Sequence, residues 1–519
     1  MGTDEVAAPH RTPTERILFT GAVIVWLIAC ARLALYLYVG GRYGYFIDEL
    51  YFIACSNHLA WGYVDIAPLV ALVVKISRLL FGDSTQSIRL FAALAGAASI
   101  LLTGRLAREL GGGRFAQGLA ALSLFLAPVV LSVSNYISMN ALELPIWLGC
   151  VLLIVRIVRT GNQKLWLWVG LLAGIGLNNK YSMAFLGAGI AGGLLLTAER
   201  RMFLKPWIWL AGLLAFLFAV PNLVWNIQNQ FPFLQMMANR TANVPYHSLA
   251  SFFVRQVVLL SPVSLPVWLC GLGWYLFDRE GKRYRTIGCA FLIVAAIMLL
   301  PATKPYYMLP AYPMLLAAGA VQMESWFSRR GLRWLKPAYV VTLMASGLVA
   351  LPFGLPVLSP ATCAHYAEAL HVAPPPMKQA GNGPLPAFFA NQLGWEEMTR
   401  AVASAWWHLP REGRSSTAIL ARDFGEAGAI DLLGRKYGLP GAISGHQNYY
   451  LWGPREYTGE SVLAIGFPQQ QLASWFDSVE PVGMVWHPYS MASERFIIYH
   501  CRSPKQPMAA LWPAMKIWR

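Results

Sequence analysis

Two adjacent carboxylates, Asp48 and Glu49, stand in the run Gly-Tyr-Phe-Ile-Asp-Glu-Leu-Tyr, directly after the first apolar segment long enough to cross a bilayer. Acids at a membrane edge are costly to keep, and they mark ion paths, substrate sites or catalytic centres. The same loop adds His58 and Asp65, and four later junctions between apolar segments are also polar. They hold Asn135, Asn140 and Glu143; Asn178, Asn179, Lys180 and Tyr181; Asn222 and Asn226; and Thr303, Lys304, Tyr306 and Tyr307. Taken singly these are ordinary, because amides cap helices, aromatic residues sit at interfaces and lysines snorkel. His58 and Asn140 take that ordinary reading. Lys180 and Lys304 do not, since each is the lone cation of its turn. A carboxylate that takes a proton from an acceptor hydroxyl, with cations that steady a departing phosphate, is what transfer from a lipid-linked sugar phosphate requires. The second reading is a transporter or flippase of a lipid-linked or amphiphilic solute. It would favour acids at mid-membrane, broken helices and inverted repeats, whereas these acids lie at segment ends and no internal repeat is evident.

The elements that must hold these groups are membrane helices. Of 519 residues, 56% are hydrophobic and 13% charged, about half the charged share of a soluble chain. Apolar stretches recur at Ile17–Tyr38, Leu90–Leu106, Ala116–Val133, Ala141–Val158, Leu165–Leu177, Met183–Thr197, Trp207–Trp225, Val257–Phe277, Ile287–Leu300, Tyr307–Val321 and Ala338–Leu351. A twelfth, Ile66–Phe81, is short and carries Lys75 and Arg78. If it lies flat at the interface, five basic clusters share one side with the N-terminus: Arg105/Arg108/Arg114, Arg156/Arg159/Lys164, Arg200/Arg201/Lys205, Arg279/Lys282/Arg283/Arg285 and Arg329/Arg330/Arg333/Lys336. If it crosses, all five fall outside, against the positive-inside rule. Eleven spans follow, with the N-terminus cytoplasmic and the C-terminus outside. The net charge of +16 therefore belongs to cytoplasmic loops and anionic membrane lipids, not to a nucleic-acid partner. Arg32, inside the first span, either snorkels outward or pairs with a carboxylate or a lipid phosphate.

The expected organisation is a transmembrane domain over residues 1–355, with the loop 39–88 as its catalytic first outer loop, and a small extramembrane α/β domain over residues 356–519. Pro374-Pro375-Pro376 and Gly381-Asn382-Gly383-Pro384 mark a linker. Beyond it, Trp395–Trp407 and Asp423–Leu433 read as helices, Thr417–Leu420, Ser461–Phe467 and Arg495–His500 as strands, and Gly438–Gly445 as a turn. Of seven cysteines, Cys363 and Cys501 bracket this region, which predicts a disulfide in an oxidising compartment. No Cys/His pattern of metal type occurs and no Gly-rich phosphate loop sits in a strand–helix setting. No cofactor is expected, and the Asp48/Glu49 spacing does not demand a metal.

An ordered set of short motifs resembles one family. Asp48-Glu49-Leu50-Tyr51, Gly62-Tyr63-Val64-Asp65-Ile66-Ala67-Pro68-Leu69, Arg89-Leu90, Asn179-Lys180-Tyr181-Ser182, Pro221-Asn222-Leu223-Val224-Trp225 and Lys304-Pro305-Tyr306-Tyr307, followed by Pro310 and Tyr312-Pro313, are similar to those of polytopic GT-C glycosyltransferases. These are of the dolichyl-phosphate-mannose protein mannosyltransferase type, with the bacterial aminoarabinose transferases of lipid A among them. Many relatives carry His-Pro-Pro or Gln-Pro-Pro where this chain has Ile66-Ala67-Pro68, and often Asp where it has Asn140. The resemblance implies a GT-C fold with an interfacial helix in the first outer loop. It also implies an inverting transfer of a sugar from a polyprenyl phosphate to a lipid, glycan or protein at the outer face of the inner membrane. It places the catalytic carboxylate at Asp48, beside Glu49. With it, Asp65, Arg89, Lys180, Tyr181, Lys304, Tyr306 and Tyr307 are expected to bind substrate.

Overall fold

The computed structural model describes residues 13–241, 248–299, 304–372, 384–457, 459–491, 493 and 495–518. The proline- and glycine-rich linker, from Pro374 to Gly383, lies outside them, as does Thr303. The first helix, α1 (Pro13–Val39), leads into the loop that carries the acids, which folds as α2 (Ile47–Asn57) and α3 (Leu69–Phe81). The α3 helix turns Val70, Ala71, Val74 and Ser77 inward and leaves Leu72, Ile76, Leu79 and Leu80 exposed. An apolar face left exposed opposite a packed one is what an interfacial helix presents to lipid.

Next come α4 (Thr85–Glu109), α5 (Arg114–Phe125), α6 (Pro128–Val133), α7 (Met139–Thr160), α8 (Trp166–Leu177), α9 (Met183–Leu195) and α10 (Pro206–Gln228). They are followed by α11 (Pro232–Thr241), α12 (Leu249–Leu260), α13 (Leu265–Phe277), α14 (Arg285–Met298), α15 (Tyr312–Arg329) and α16 (Leu335–Gly354). All eleven expected apolar segments are helical in whole or in part. Among the described residues five helices are singly long and apolar enough to cross a membrane, or six if one bent pair is counted. At about 1.5 Å per residue, α8 and α9 reach about 20 Å, short of a 30 Å hydrocarbon core.

Prolines correct two of the expected spans. The third breaks between α5 and α6 at Pro128, which has no N–H to give the helix. The eighth does not run straight from Val257 to Phe277. Its two halves meet at 98°, where Ser261 adopts φ 78° before Pro262. The tenth begins later than Tyr307, because Pro305–Ala311 forms a 3₁₀ turn ahead of α15.

Arg32 resolves in a way the sequence did not suggest. Fully buried, it donates to the carbonyls of Phe125 (2.7 Å) and Val130 (2.8 Å) and to the Tyr36 hydroxyl. It thus pins the helix break at Pro128, meeting the Phe125 carbonyl and sharing the Val130 carbonyl with the Ser134 N–H and the Tyr36 hydroxyl.

After α17 (Pro360–Ala369) and a turn, α18 (Ala387–Ala390), the chain forms α19 (Trp395–His408), the turn α20 (Arg411–Arg414), β1 (Thr417–Ala421), α21 (Phe424–Leu433), β2 (Ala442–Ser444), α22 (Asn448–Trp452), β3 (Ser461–Ile465), α23 (Gln469–Trp475), β4 (Phe476–Val485), β5 (Phe496–Pro504) and α24 (Met508–Leu511). The strand order is β2-β1-β3-β5-β4, with β2, β1 and β3 parallel and β5 antiparallel to both β3 and β4. The strands β2 and β4 fall outside the sequence-based expectation. β4 is largely exposed on its inner residues and lacks the apolar alternation that marks a strand.

The period-two alternation splits the sheet's side chains between two cores. Ala418, Leu420, Val462 and Ala464 face Trp475, Leu511 and Trp512. Ile419, Ala421, Leu463 and Ile465 face the other way, into a core shared with Leu50, Tyr51 and Ile53 of α2, Val70 and Val74 of α3, and Met398 and Ile430. The C-terminal sheet domain is thus seated on the helices of the first loop. No disulfide closes it: Cys363 and Cys501 are both free and lie in separate apolar clusters.

Candidate active site

Glu49 is the anchor from which the site is built. It occupies the third position of α2 and accepts from the Phe46 N–H at 2.8 Å, closing the helix start. It also accepts from the Ile137 N–H at 3.0 Å and from the Arg89 guanidinium at 2.8 Å. Arg89, on α4, spends its remaining donors on the carbonyls of Gly40 (2.9 Å) and Gly44 (2.7 Å) and on Gln392 (3.3 Å). Both side chains are buried. One ion pair therefore ties α2, α4, the α6–α7 turn and the segment before α19 together. This corrects two expectations. Glu49 has no face open to a substrate, and Arg89 is a buried cation whose charge is already met by Glu49.

With Glu49 locked, its neighbour Asp48 is aimed differently and stays half-buried. Burial pushes its carboxyl up to about 7; Lys304 opposes that shift, while Asp65, Asp423 and Glu49 reinforce it. Tyr136, whose ring stacks on Phe46 at 4.2 Å, lies within the field of the same carboxylate. Asp65 accepts from the Tyr51 hydroxyl at 2.9 Å. Asp65 and Lys304 thus both lie near enough to act on the Asp48 charge.

Lys180 is not a lone cation in space. Its Nζ donates to Glu143 (2.8 Å) and Asn140 (2.9 Å) and lies 4.4 Å from the centre of the Tyr307 ring. The Asn at position 140 accepts from the lysine with its amide oxygen and leaves Glu143 as the only counter-charge it meets there. The Tyr181 hydroxyl donates to Asn222 (3.1 Å) and accepts from Asn226 (3.3 Å), and Asn222 holds the Trp61 carbonyl at 2.7 Å. The polar end of α10 thereby staples the first loop. Tyr306 meets Tyr307 edge to face at 4.9 Å, with Lys304 at 5.8 Å from its ring centre and exposed to solvent.

Sequence reasoning missed the contribution from the C-terminal sheet domain. Asp423 precedes α21 and caps it, accepting from the Gly425 N–H at 2.7 Å. The Phe424 ring lies 4.7 Å from that of Tyr51, and Asn448 accepts from the Val64 N–H at 2.6 Å. The capping box Asp423/Glu426 was legible as a helix start. Nothing local could show which helix it would meet. Among the described residues no group of three or more His, Cys, Asp or Glu is arranged to hold a metal ion.

Residues 65–225 match the family model described as dolichyl-phosphate-mannose-protein mannosyltransferase. The computed fold aligns with ArnT from Cupriavidus metallidurans in the apo state over 93% of this chain and 98% of that one, at a TM-score of 0.60 and 14% identity. The same protein bound to undecaprenyl phosphate aligns over 92% and 98%, at 0.63 and 13%. The chain shares the GT-C fold of these membrane proteins. The chain is also 25% identical, over 329 residues, to a lipid A galacturonosyltransferase of Rhizobium johnstonii, a match that covers 61% of this chain and 67% of the relative. The multi-pass membrane character expected from composition stands with it.

Proposed function

We propose that this GT-C enzyme transfers a sugar from a polyprenyl phosphate to a lipid acceptor of the lipid A class at the outer face of the inner membrane, with Asp48 as general base. The observation that carries this is the half-buried Asp48 carboxyl, held near neutrality by its surroundings with Lys304 as its opposing cation. The fold's likeness to a structure bound to undecaprenyl phosphate and the relation to a lipid A galacturonosyltransferase supply the two substrate classes. The acceptor oxygen attacks the anomeric carbon from the side away from phosphate while Asp48 takes its proton. The bond from that carbon to the phosphate oxygen breaks, and the polyprenyl phosphate leaves with its charge met by Lys304. One bond forms and one breaks on opposite faces, so the configuration inverts. Lys180 with Tyr307 lines the phosphate side, and Asp65 with Tyr181 orients the sugar and acceptor hydroxyls. The confinement of the five basic clusters to the loops on the other side supports an outside position for the loop with these residues.

The test is the purified enzyme in nanodiscs with undecaprenyl-phosphate sugars and lipid A, with products read by mass spectrometry. The sugar is named beforehand by comparing lipids from cells with and without the protein. Asp48→Asn should still bind donor yet turn over about 10²–10⁴-fold more slowly, the range of general-base help. Normal turnover by that variant would remove the assignment. Movement of the lipid-linked sugar across the membrane with no product would replace the enzyme with a transporter.

A further inference from the structure

Three residues on one side of α2 are engaged by the C-terminal sheet domain. A Cβ on Gly425 would collide with Ile47, and one on Gly428 would sit 2.8 Å from the Leu50 carbonyl oxygen, so α21 crosses α2 as closely as backbones allow. Tyr51 completes the contact, its ring tilted at 33° against that of Phe424 with centres 4.7 Å apart, and it bonds to Asn448 at 3.3 Å. Ile47, Leu50 and Tyr51 are one, two and three residues from Asp48. The close approach sets down beside them the start of α21, where Asp423 is fixed by its bond from the Gly425 N–H and by Nδ1 of His446 at 3.1 Å. His446 is itself buried, its ring is stacked on Phe424 at 4.7 Å, and its Nε2 has no protein partner among the described residues.

We propose that Asp423 is a positioning residue for Asp48: the crossing at Gly425 and Gly428 carries this second carboxylate from the C-terminal sheet domain to the pocket and sets the charge beside which Asp48 works. The inference rests on the reading of Asp48 as the base. The groups that bear on Asp48 are Glu49 on its own helix, Asp65 in the loop before α3, Tyr136 between α6 and α7, Lys304 before α15, and Asp423. Of these only Asp423 comes from the C-terminal sheet domain, and on it bears His446. The sheet domain is then part of the machinery that decides when Asp48 is charged, as well as a cover over the site.

Infrared titration of the full-length protein in nanodiscs, without substrate, reads the protonated carboxyl band. The difference between wild type and Asp48→Asn isolates Asp48. Asp423→Asn keeps an equally good helix cap and removes the charge. It should lower the Asp48 midpoint by about half a pH unit, the effect of one partly screened like charge. Gly428→Ala, which pushes α21 away and admits water, should lower it as well. An unmoved midpoint in Asp423→Asn overturns the proposal. If Asp423→Asn does not fold, Gly428→Ala decides alone. Activity separates this from the parent reading: full turnover by Asp48→Asn sinks the base assignment, whereas an inactive Asp48→Asn with an unmoved Asp423→Asn titration sinks only the positioning role.

Discussion

Glu49→Gln tests whether the second acid of the pair holds the site or takes part in its chemistry. In the wild type the Glu49 carboxylate meets Phe46 N–H, Ile137 N–H and the Arg89 guanidinium, all within 3.2 Å. The glutamine keeps the shape, but its amide nitrogen turns a donor toward a donor, and Arg89 is left charged and buried without its counter-ion. Removing one partner of a buried pair costs about 3–5 kcal/mol. One stranded buried N–H adds a further penalty, about 1–3 kcal/mol. Arg89→Met strands the acceptors at Gly40, Gly44 and Gln392 and should cost a similar amount. Because the residues act as one unit, the double variant should be much less destabilised than the sum of the singles. The assay is thermal inactivation in detergent at one scan rate, since unfolding of such a protein is irreversible, paired with turnover well below the transition. The expected outcome is a loss of stability for each single variant, with the folded fraction retaining turnover within about tenfold of wild type, less than the loss expected of a general base. A Glu49→Gln protein as stable as wild type and as inactive as Asp48→Asn would refute this account.

Three further outcomes follow from the same geometry. The Asp48 carboxyl, raised to about 7, must be ionised to accept a proton, so kcat/KM should fall about tenfold per unit below pH 7 and level off above it; a rate unchanged down to pH 5 would refute this. Because that folded-state value lies above the ordinary aspartate value, ionising Asp48 costs stability as pH rises through 4 to 7, and Asp48→Asn should be at least as heat-resistant as wild type at pH 8. Alkylation of the denatured, unreduced protein followed by peptide mapping should find both Cys363 and Cys501 as free thiols; a linked peptide would contradict the fold. Arg32→Leu strands the carbonyl of Phe125 and should cost about 1–3 kcal/mol for that unpaired acceptor, read as a lower inactivation temperature with turnover kept below it; unchanged heat resistance would show that the break at Pro128 needs no pin.

The sequence determined whatever rests on local pattern. Apolar length located the membrane helices, because hydrocarbon leaves a backbone little choice but to bond to itself. The five basic clusters, confined to alternate loops if the short stretch with Lys75 and Arg78 does not cross, led to the expectation that α3 lies at the interface. Period-two runs gave β1, β3 and β5, and a capping pattern gave the start of α21. Asp48 stood out because an acid at a membrane edge is costly. What the tertiary structure alone decided is which of these polar groups meet. Asp48 and Glu49 are adjacent in sequence and alike in chemistry, yet successive helical positions face about 100° apart. One therefore points into a cage of donors and the other toward Lys304. Arg89 and Lys180 look equally available in the chain, and they differ because one pairs with Glu49 forty residues away and the other with Glu143 on a neighbouring helix. Cys363 and Cys501 bracket a region, but bracketing says nothing about distance. Asp423 lies 375 positions beyond Asp48 in the numbering. Asp423 bears on Asp48 because two glycines let one helix settle on another, and a charge acts through space on whatever that packing brings near.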